Sequence, residues 1–268
     1  MPLRSYRSIQ EQERRRKQKI TVYVLLLVLV IIFWPRNRAE RKEIIEDAPT
    51  VDENFIVFIH PGAGGDEIGG VYPQNSQEPE IKGKDLNLTI AQAISRALTK
   101  EGINSVLSRE SDVFINALER KEKAEQLGAD LSIAIYVNEY YDDPLYTGFE
   151  IIDYKKIDWS TNYKQRVAFA RELEHALVER LASYKSASRG VFTRHSAFVI
   201  DAPTIVLLPG FISNEAERQR LVKEDYQWQV ANAVADAVIV YRDDLRWRQN
   251  EDFSGEAEEV TDRLYLPF

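Results

Sequence analysis

At 268 residues and 44% apolar content the chain can bury one sizeable core, and no internal repeat is visible, so one main globular domain with appendages is expected. Cysteine is absent, which excludes disulfides, thiolate chemistry and every cysteine-based zinc site; only His60, His175 and His195 remain as imidazole donors. The net charge of -8 conceals a basic head (Arg4, Arg7, Arg14, Arg15, Arg16, Lys17 and Lys19 against Glu11 and Glu13), so the rest is more acidic than the total and no nucleic-acid partner is expected.

The basic head, residues 1–19, runs into "ITVYVLLLVLVIIFW", Ile20 to Trp34, in which only Thr21 is not apolar. This is shorter than the ~20 residues that span a bilayer comfortably, but Lys19 and Arg36 can snorkel and Tyr23 and Trp34 suit the interfaces. A cleaved signal peptide would need a small-residue cleavage site, and "FWPRNR" follows instead. A buried core helix would not carry so dense a basic flank. The run reads as a single-pass anchor with its head in the cytoplasm and the main domain outside, although Arg36, Arg38, Arg41 and Lys42 lessen the charge asymmetry. Residues 35–54 read as a charged linker.

From Phe55 strands and helices alternate. "FIVFIH" is a short β-branched run, "KDLNLTIAQAISRALTKEG" has helical spacing ending at Gly102, and "INSVLS" is a second strand. A helix is expected from about Phe114 to Leu127, a third strand in "ADLSIAIYVN", a fourth in "GFEIIDY" and a long helix from about Thr161 to Tyr184. Strands around "SAFVI" and "TIVLL" and a helix from about Tyr226 to Tyr241 complete a domain spanning 55–242. The fold class is α/β: a mixed, largely parallel sheet of about six strands with helices on both faces, preceded by one transmembrane helix. Residues 243–268 form an acidic tail whose apolar end, "LYLPF", either hangs loose or docks on the domain or on a partner.

The first strand feeds "PGAGGDEIGG", at the sheet edge where α/β proteins place ligands. It is not a nucleotide cradle. It lacks a Gly-Lys-Ser/Thr ending, Glu67 stands where a dinucleotide loop needs its third glycine, and no helix opens directly after it.

The succession "IVFIHPGAGGDEIGG", "KGKDLNLTIAQAISRALTKEGINSVLSRESD", "LERKEKAEQLGADLSIAIYVN", "SRGVF" and "PGFISNEAERQRL", followed by "AVADAVIVY", resembles the zinc-dependent N-acetylmuramoyl-L-alanine amidases of bacterial cell-wall turnover, over about Phe55 to Tyr241. The resemblance implies a six-stranded sheet flanked by helices, and an envelope protein whose relatives cut the bond between glycan and stem peptide. It also implies four functional positions that this chain fills differently: Ala63 for a metal-binding histidine, Gly83 for a metal-binding glutamate, Tyr136 for the second histidine and Leu208 for the catalytic glutamate. Scaffold positions of the pattern are retained, among them Pro61, Gly62, Gly64, Gly65, Asp85, Leu86, Arg109, Asp112, Arg120, Asn138, Glu150, Gly210, Phe211, Ser213 and Asn214.

Buried imidazoles and carboxylates are costly once no metal compensates them, so a chain without zinc gains by filling the site with such residues. The expectation is therefore a non-catalytic, membrane-anchored amidase-like domain on the outer face of a bacterial inner membrane. It would recognise peptidoglycan or an envelope protein and serve cell-wall or division-machinery regulation, with no cofactor. Binding candidates are Gly62, Gly64, Gly65, Tyr136 and Asn138, with Tyr140 and Tyr141 available for stacking; Tyr136 equally reads as a plug for the vacated space. Two alternatives stand. One is an active amidase holding zinc through displaced ligands from His60, Glu67, Glu80 and Glu139; the other is a purely structural periplasmic module of a membrane complex. His60 is otherwise a hydrogen-bonded strand end, His175 a solvated helix residue, and Ser213 a helix cap.

Overall fold

The structure, a computed structural model, describes residues 52–73, 79–140, 142–143, 145–155, 163–196 and 199–254. The expected anchor, 20–34, and most of the linker lie outside them. Among the described residues no helix is long and apolar enough to cross a membrane.

Six strands form the main sheet: β1 (Asp52–Pro61), β4 (Ile103–Leu107), β5 (Leu131–Ile135), β6 (Phe149–Lys155), β7 (Ser188–His195) and β8 (Thr204–Leu208). Their order is β4-β1-β5-β8-β6-β7. β4, β1, β5 and β8 are parallel neighbours, β6 runs antiparallel to β8, and β7 is parallel to β6. A two-stranded ladder, β2 (Val71–Tyr72) with β3 (Ile81–Lys82), extends the loop after β1. The helices are α1 (Gly83–Lys100), α2 (Ala117–Gln126), α3 (Tyr163–Leu181), α4 (Glu215–Leu221) and α5 (Glu224–Ser254).

Strand side chains alternate between the two faces. Val57, Ile59, Ile133, Ile135, Ile205 and Leu207 point into the principal core with α1, α3 and α5, whose inner faces supply Ile90, Ile94, Leu173, Leu177, Val230 and Val234. The opposite face has only a small cluster, Phe58, Ala124, Ala129 and Ile200. Both faces thus carry helices, but unequally: among the described residues α2 alone packs on the small cluster of the second.

Two elements depart from the sequence expectation. The strand placed at "SAFVI" is instead β7, Ser188–His195, an edge strand whose outer half is exposed; Val199 and Ile200 are buried outside any strand. The last helix does not stop near Tyr241 but continues through Ser254, twelve residues into the segment read as tail. Tyr241 and Leu245 still reach the principal core, and the Arg, Leu and Gln residues of "RDDLRWRQ" are good helix formers.

Candidate functional site

The loop between β1 and α1 sits at the carboxyl ends of the parallel strands. Ala63 adopts a left-handed conformation, φ +58°, and is buried; an L-residue there costs about 1–2 kcal/mol. Gly64 and Glu67 exchange backbone hydrogen bonds, 2.8 and 3.1 Å, which closes a tight turn. The chain then passes over the start of α1, where Gly83 N donates to the Gly70 carbonyl and Lys84 N to that of Ile68, both 2.9 Å. Protein carbonyls thus take up these amides of the helix start, which agrees with the reading that the loop is no anion cradle.

A buried cross-tie holds this shape. Arg109 donates to the carbonyls of Pro61, Gly62, Lys84 and Ser111, at 2.9–3.0 Å. Its burial lowers the guanidinium pKa, with Asp112 and Asp85 acting in the opposite direction. Asp112 accepts from Gly65 N and from Lys84, and those bonds hold its carboxyl below the usual range. Asn87 joins the Gly62 carbonyl to Val137 N.

The expected positions converge here. A side chain at residue 83 has no room, because its Cβ would lie 1.7 Å from the Gly69 carbonyl oxygen, and a Cβ at Gly69 would lie 3.1 Å from that of Ala63. Tyr136, just past β5, lays its ring on Gly62, where an added Cβ would come within 2.2 Å of the ring. Leu208, at the end of β8, is buried and pairs across the ladder with Glu150. Of the two roles open to Tyr136, the geometry is that of the plug.

Behind Tyr136 runs a chain of polar groups. Its hydroxyl lies 3.2 Å from His60 Nε2, and His60 Nδ1 lies 2.8 Å from Ser108 Oγ. Arg120 hydrogen-bonds the same phenol and also donates to the Ile115 carbonyl. Burial, then the fields of Arg120 and Arg109, lower the His60 pKa to about 2, so the ring is neutral. The arrangement that satisfies every group has Arg120 donating to Tyr136, Tyr136 to His60 Nε2, and His60 Nδ1–H to Ser108. Burial raises the phenol pKa of Tyr136 despite Arg120. His60 is thus the hydrogen-bonded strand residue expected of it.

The glycine amides are not available to a ligand, which corrects their reading as binding candidates: Gly62 N donates to the Ile135 carbonyl, Gly64 N to that of Glu67 and Gly65 N to Asp112. Asn138 is likewise engaged, donating to Glu150 at 3.0 Å, accepting from Glu139 N at 3.0 Å and bonding through its backbone to Gly210 and Ile212. Ser213 does not cap α4; Asn214 does, accepting from Glu217 N, while Ser213 Oγ accepts from Tyr140 N. Tyr140 is exposed and stacks on Tyr146, ring centroids 4.6 Å apart, and Arg189 lies 3.6 Å above the Tyr146 ring while pairing with Glu150. Tyr141 lies outside the described residues.

The donor set does not fit zinc. Ala63, Gly83 and Leu208 offer no donor atom, and the phenol of Tyr136 is bonded to His60. Glu67 and Glu80 are exposed, and among the described residues no group of three His, Asp or Glu side chains could hold a metal ion. Nothing in the residue pattern singled out the Arg120–Tyr136–His60–Ser108 chain, because its members come from four separated segments. Arg109 and Arg120 were visible only as retained scaffold.

A mixed α/β sheet, a glycine loop at the carboxyl ends of its parallel strands and a buried arginine tie define an amidase-type domain. The family profile described as N-acetylmuramoyl-L-alanine amidase matches residues 57–240, and the chain belongs to that family. It is similar to the uncharacterized protein YqiI of Bacillus subtilis, with 30% identity over 195 residues covering 71% of this chain and 86% of the relative. It is also similar to the N-acetylmuramoyl-L-alanine amidase LytC of the same organism, 28% identical over 72% of this chain but only 36% of LytC. Among solved structures, the N-acetylmuramoyl-L-alanine amidase from Clostridium difficile 630 superposes with a TM-score of 0.61 and 28% identity, covering 70% of this chain and 97% of that one.

Proposed function

We propose that this chain is a membrane-anchored, non-catalytic member of the amidase family whose domain docks an envelope protein in the service of cell-wall or division-machinery regulation. The observation that carries the reading is the closure of the site by backbone and ring: the Gly69 carbonyl occupies the place of any side chain at Gly83, and Tyr136 covers Gly62. A hydrolytic site needs convergent ligands and a positioned base, and these contacts fill the space where they would stand. Docking of a protein is supported by an apolar rim around the loop, in which Ile68, Val113 and Phe114 are 41–54% exposed. Phe114 packs beside Gly65, and Val113 beside Gly64. Solvent-exposed apolar groups gathered in one place mark interaction surfaces.

Peptidoglycan is the second ligand to consider, supported by the exposed face of Tyr140, since aromatic faces suit sugar rings. Anchoring is supported by the run from Ile20 to Trp34 and the basic head before it, and puts the domain on the outer side of the inner membrane.

The deciding experiment measures zinc in the purified protein and its release of stem peptides from peptidoglycan. Well under one equivalent of zinc and no release are expected; chelator-sensitive release would overturn the proposal. Sedimentation with insoluble peptidoglycan, with and without Tyr140→Ala, separates the two ligands: saturable binding lost in the variant would favour the cell wall.

A further inference from the structure

The thinly covered face of the sheet holds a groove of about 490 Å³. Its cause is the composition of the two surfaces that meet there. α2 turns Ala117, Arg120, Lys121 and Ala124 toward the sheet, at helical spacing i, i+3, i+4, i+7, and two of the four are alanines. Opposite them β5 presents Ser132 and Ala134, and the floor is completed by Phe58, Ile152 and Val206. At one end the lining takes in His60, Tyr136, Asn138 and Leu208, so the groove reaches the site described above. The groove is open to solvent, and its mainly apolar lining with a few charged groups at the edge is the character of a surface that another segment covers.

The groove also carries charge. Arg120 bonds only to a carbonyl and a phenol, with no carboxylate salt bridge among the described residues, and Lys121 at the lip reaches only Glu125 of its own helix. Ala124 and Ile200, which line the groove, also line a second depression that includes Tyr241 and Leu245 of α5. The two depressions therefore lie side by side, with Ala124 and Ile200 between them.

We propose that the chain's own segment Leu264–Phe268 folds back into this groove. "LYLPF" supplies four large apolar side chains, and the residues before it, Glu256, Glu258, Glu259 and Asp262 against a single Arg263, complement Arg120 and Lys121. The reach suffices. α5 extends about 14 Å past Leu245 at 1.5 Å per residue, the chain from Gly255 to Phe268 spans up to about 46 Å, and the groove along β5 is about 13 Å long. A segment seated there also covers Tyr136 and Leu208, and crosslinking and hydrogen exchange read its docking without any assay of turnover.

The test places a photo-crosslinking phenylalanine analogue at position 265 of the full chain and maps adducts by mass spectrometry. Adducts within one molecule to residues 117–124 or 132–136, unchanged on dilution, are expected. Adducts to a second copy, adducts elsewhere or none would overturn the proposal. Hydrogen exchange provides a second reading that needs no modified residue. Ending the chain at Ser254 is expected to speed exchange of the α2 amides by about tenfold, with recovery on adding a synthetic peptide of residues 255–268. Unchanged exchange in the shortened chain, or no recovery with the peptide, would refute it.

Discussion

His60 turns the plugged site into a source of acid sensitivity. Its ring, bonded to Ser108 and Tyr136, is held neutral in the folded chain with a pKa of about 2 against an ordinary value of 6.5. A histidine depressed in this way contributes stability that is fully present above pH 6.5 and is lost as pH falls toward 2, because in that window the unfolded chain binds the proton and the folded one does not. The slope is about 1.4 kcal/mol per pH unit, so moving from pH 8 to pH 5 removes about 2 kcal/mol. Urea unfolding of the wild type and of His60→Gln at both pH values isolates the effect, since the variant keeps a hydrogen-bonding group but does not titrate. The wild type should lose about 2 kcal/mol more than the variant between pH 8 and pH 5. Equal losses in the two proteins would refute the reasoning and mean that His60 is reachable by protons in the folded state.

A carboxylate placed at residue 83 should recruit no metal: Gly83→Glu must push the Gly69 carbonyl away and break the Gly70 and Ile68 bonds to the start of α1, for a loss of about 3 kcal/mol in thermal or urea unfolding and no gain of zinc in metal analysis. Gly62→Ala should cost about 1–3 kcal/mol through its clash with the Tyr136 ring, and nearly nothing in a Tyr136→Ala background, so a double-mutant cycle should show about 1–2 kcal/mol of coupling. Asn214→Ala should cost about 1 kcal/mol by uncapping α4, whereas Ser213→Ala should instead loosen exchange at the Tyr140 amide.

How far the sequence reveals all this depends on whether a residue's role is local. β1, β5 and β8 are readable because the central strands are covered on both faces and appear as continuous apolar runs. β7 is an edge strand carrying Arg189, Thr193, Arg194 and His195, so its composition gives no such signal, and the apolar "SAFVI" beside it draws the assignment away. Similarly, past Tyr241 only Leu245 among the described side chains joins the core, too little to read as an apolar stripe. At the site, Ala63, Gly83, Tyr136 and Leu208 draw notice only through the resemblance to the family, and Gly83 is explained only when the Gly69 carbonyl is seen against it. The bond from His60 to Tyr136 spans 76 residues of sequence, a separation that no local pattern encodes. Ser213 and Asn214 are adjacent and both suited to capping, and only the backbone angles decide between them.

The Arg109 tie separates two properties that are easily taken as one. It fixes the loop by gripping four backbone carbonyls from three stretches of chain, and none of its contacts depends on which side chain stands at 63, 83, 136 or 208. A template held in this fashion is indifferent to its cargo. The grip on the loop is the same whatever those four positions carry, while Gly83 and Gly62 are fixed separately, by the Gly69 carbonyl and the Tyr136 ring packed on them. In this chain the shape of the loop and the character of the pocket are thus set by different residues, the first by Arg109 and the second by positions that its hydrogen bonds do not involve.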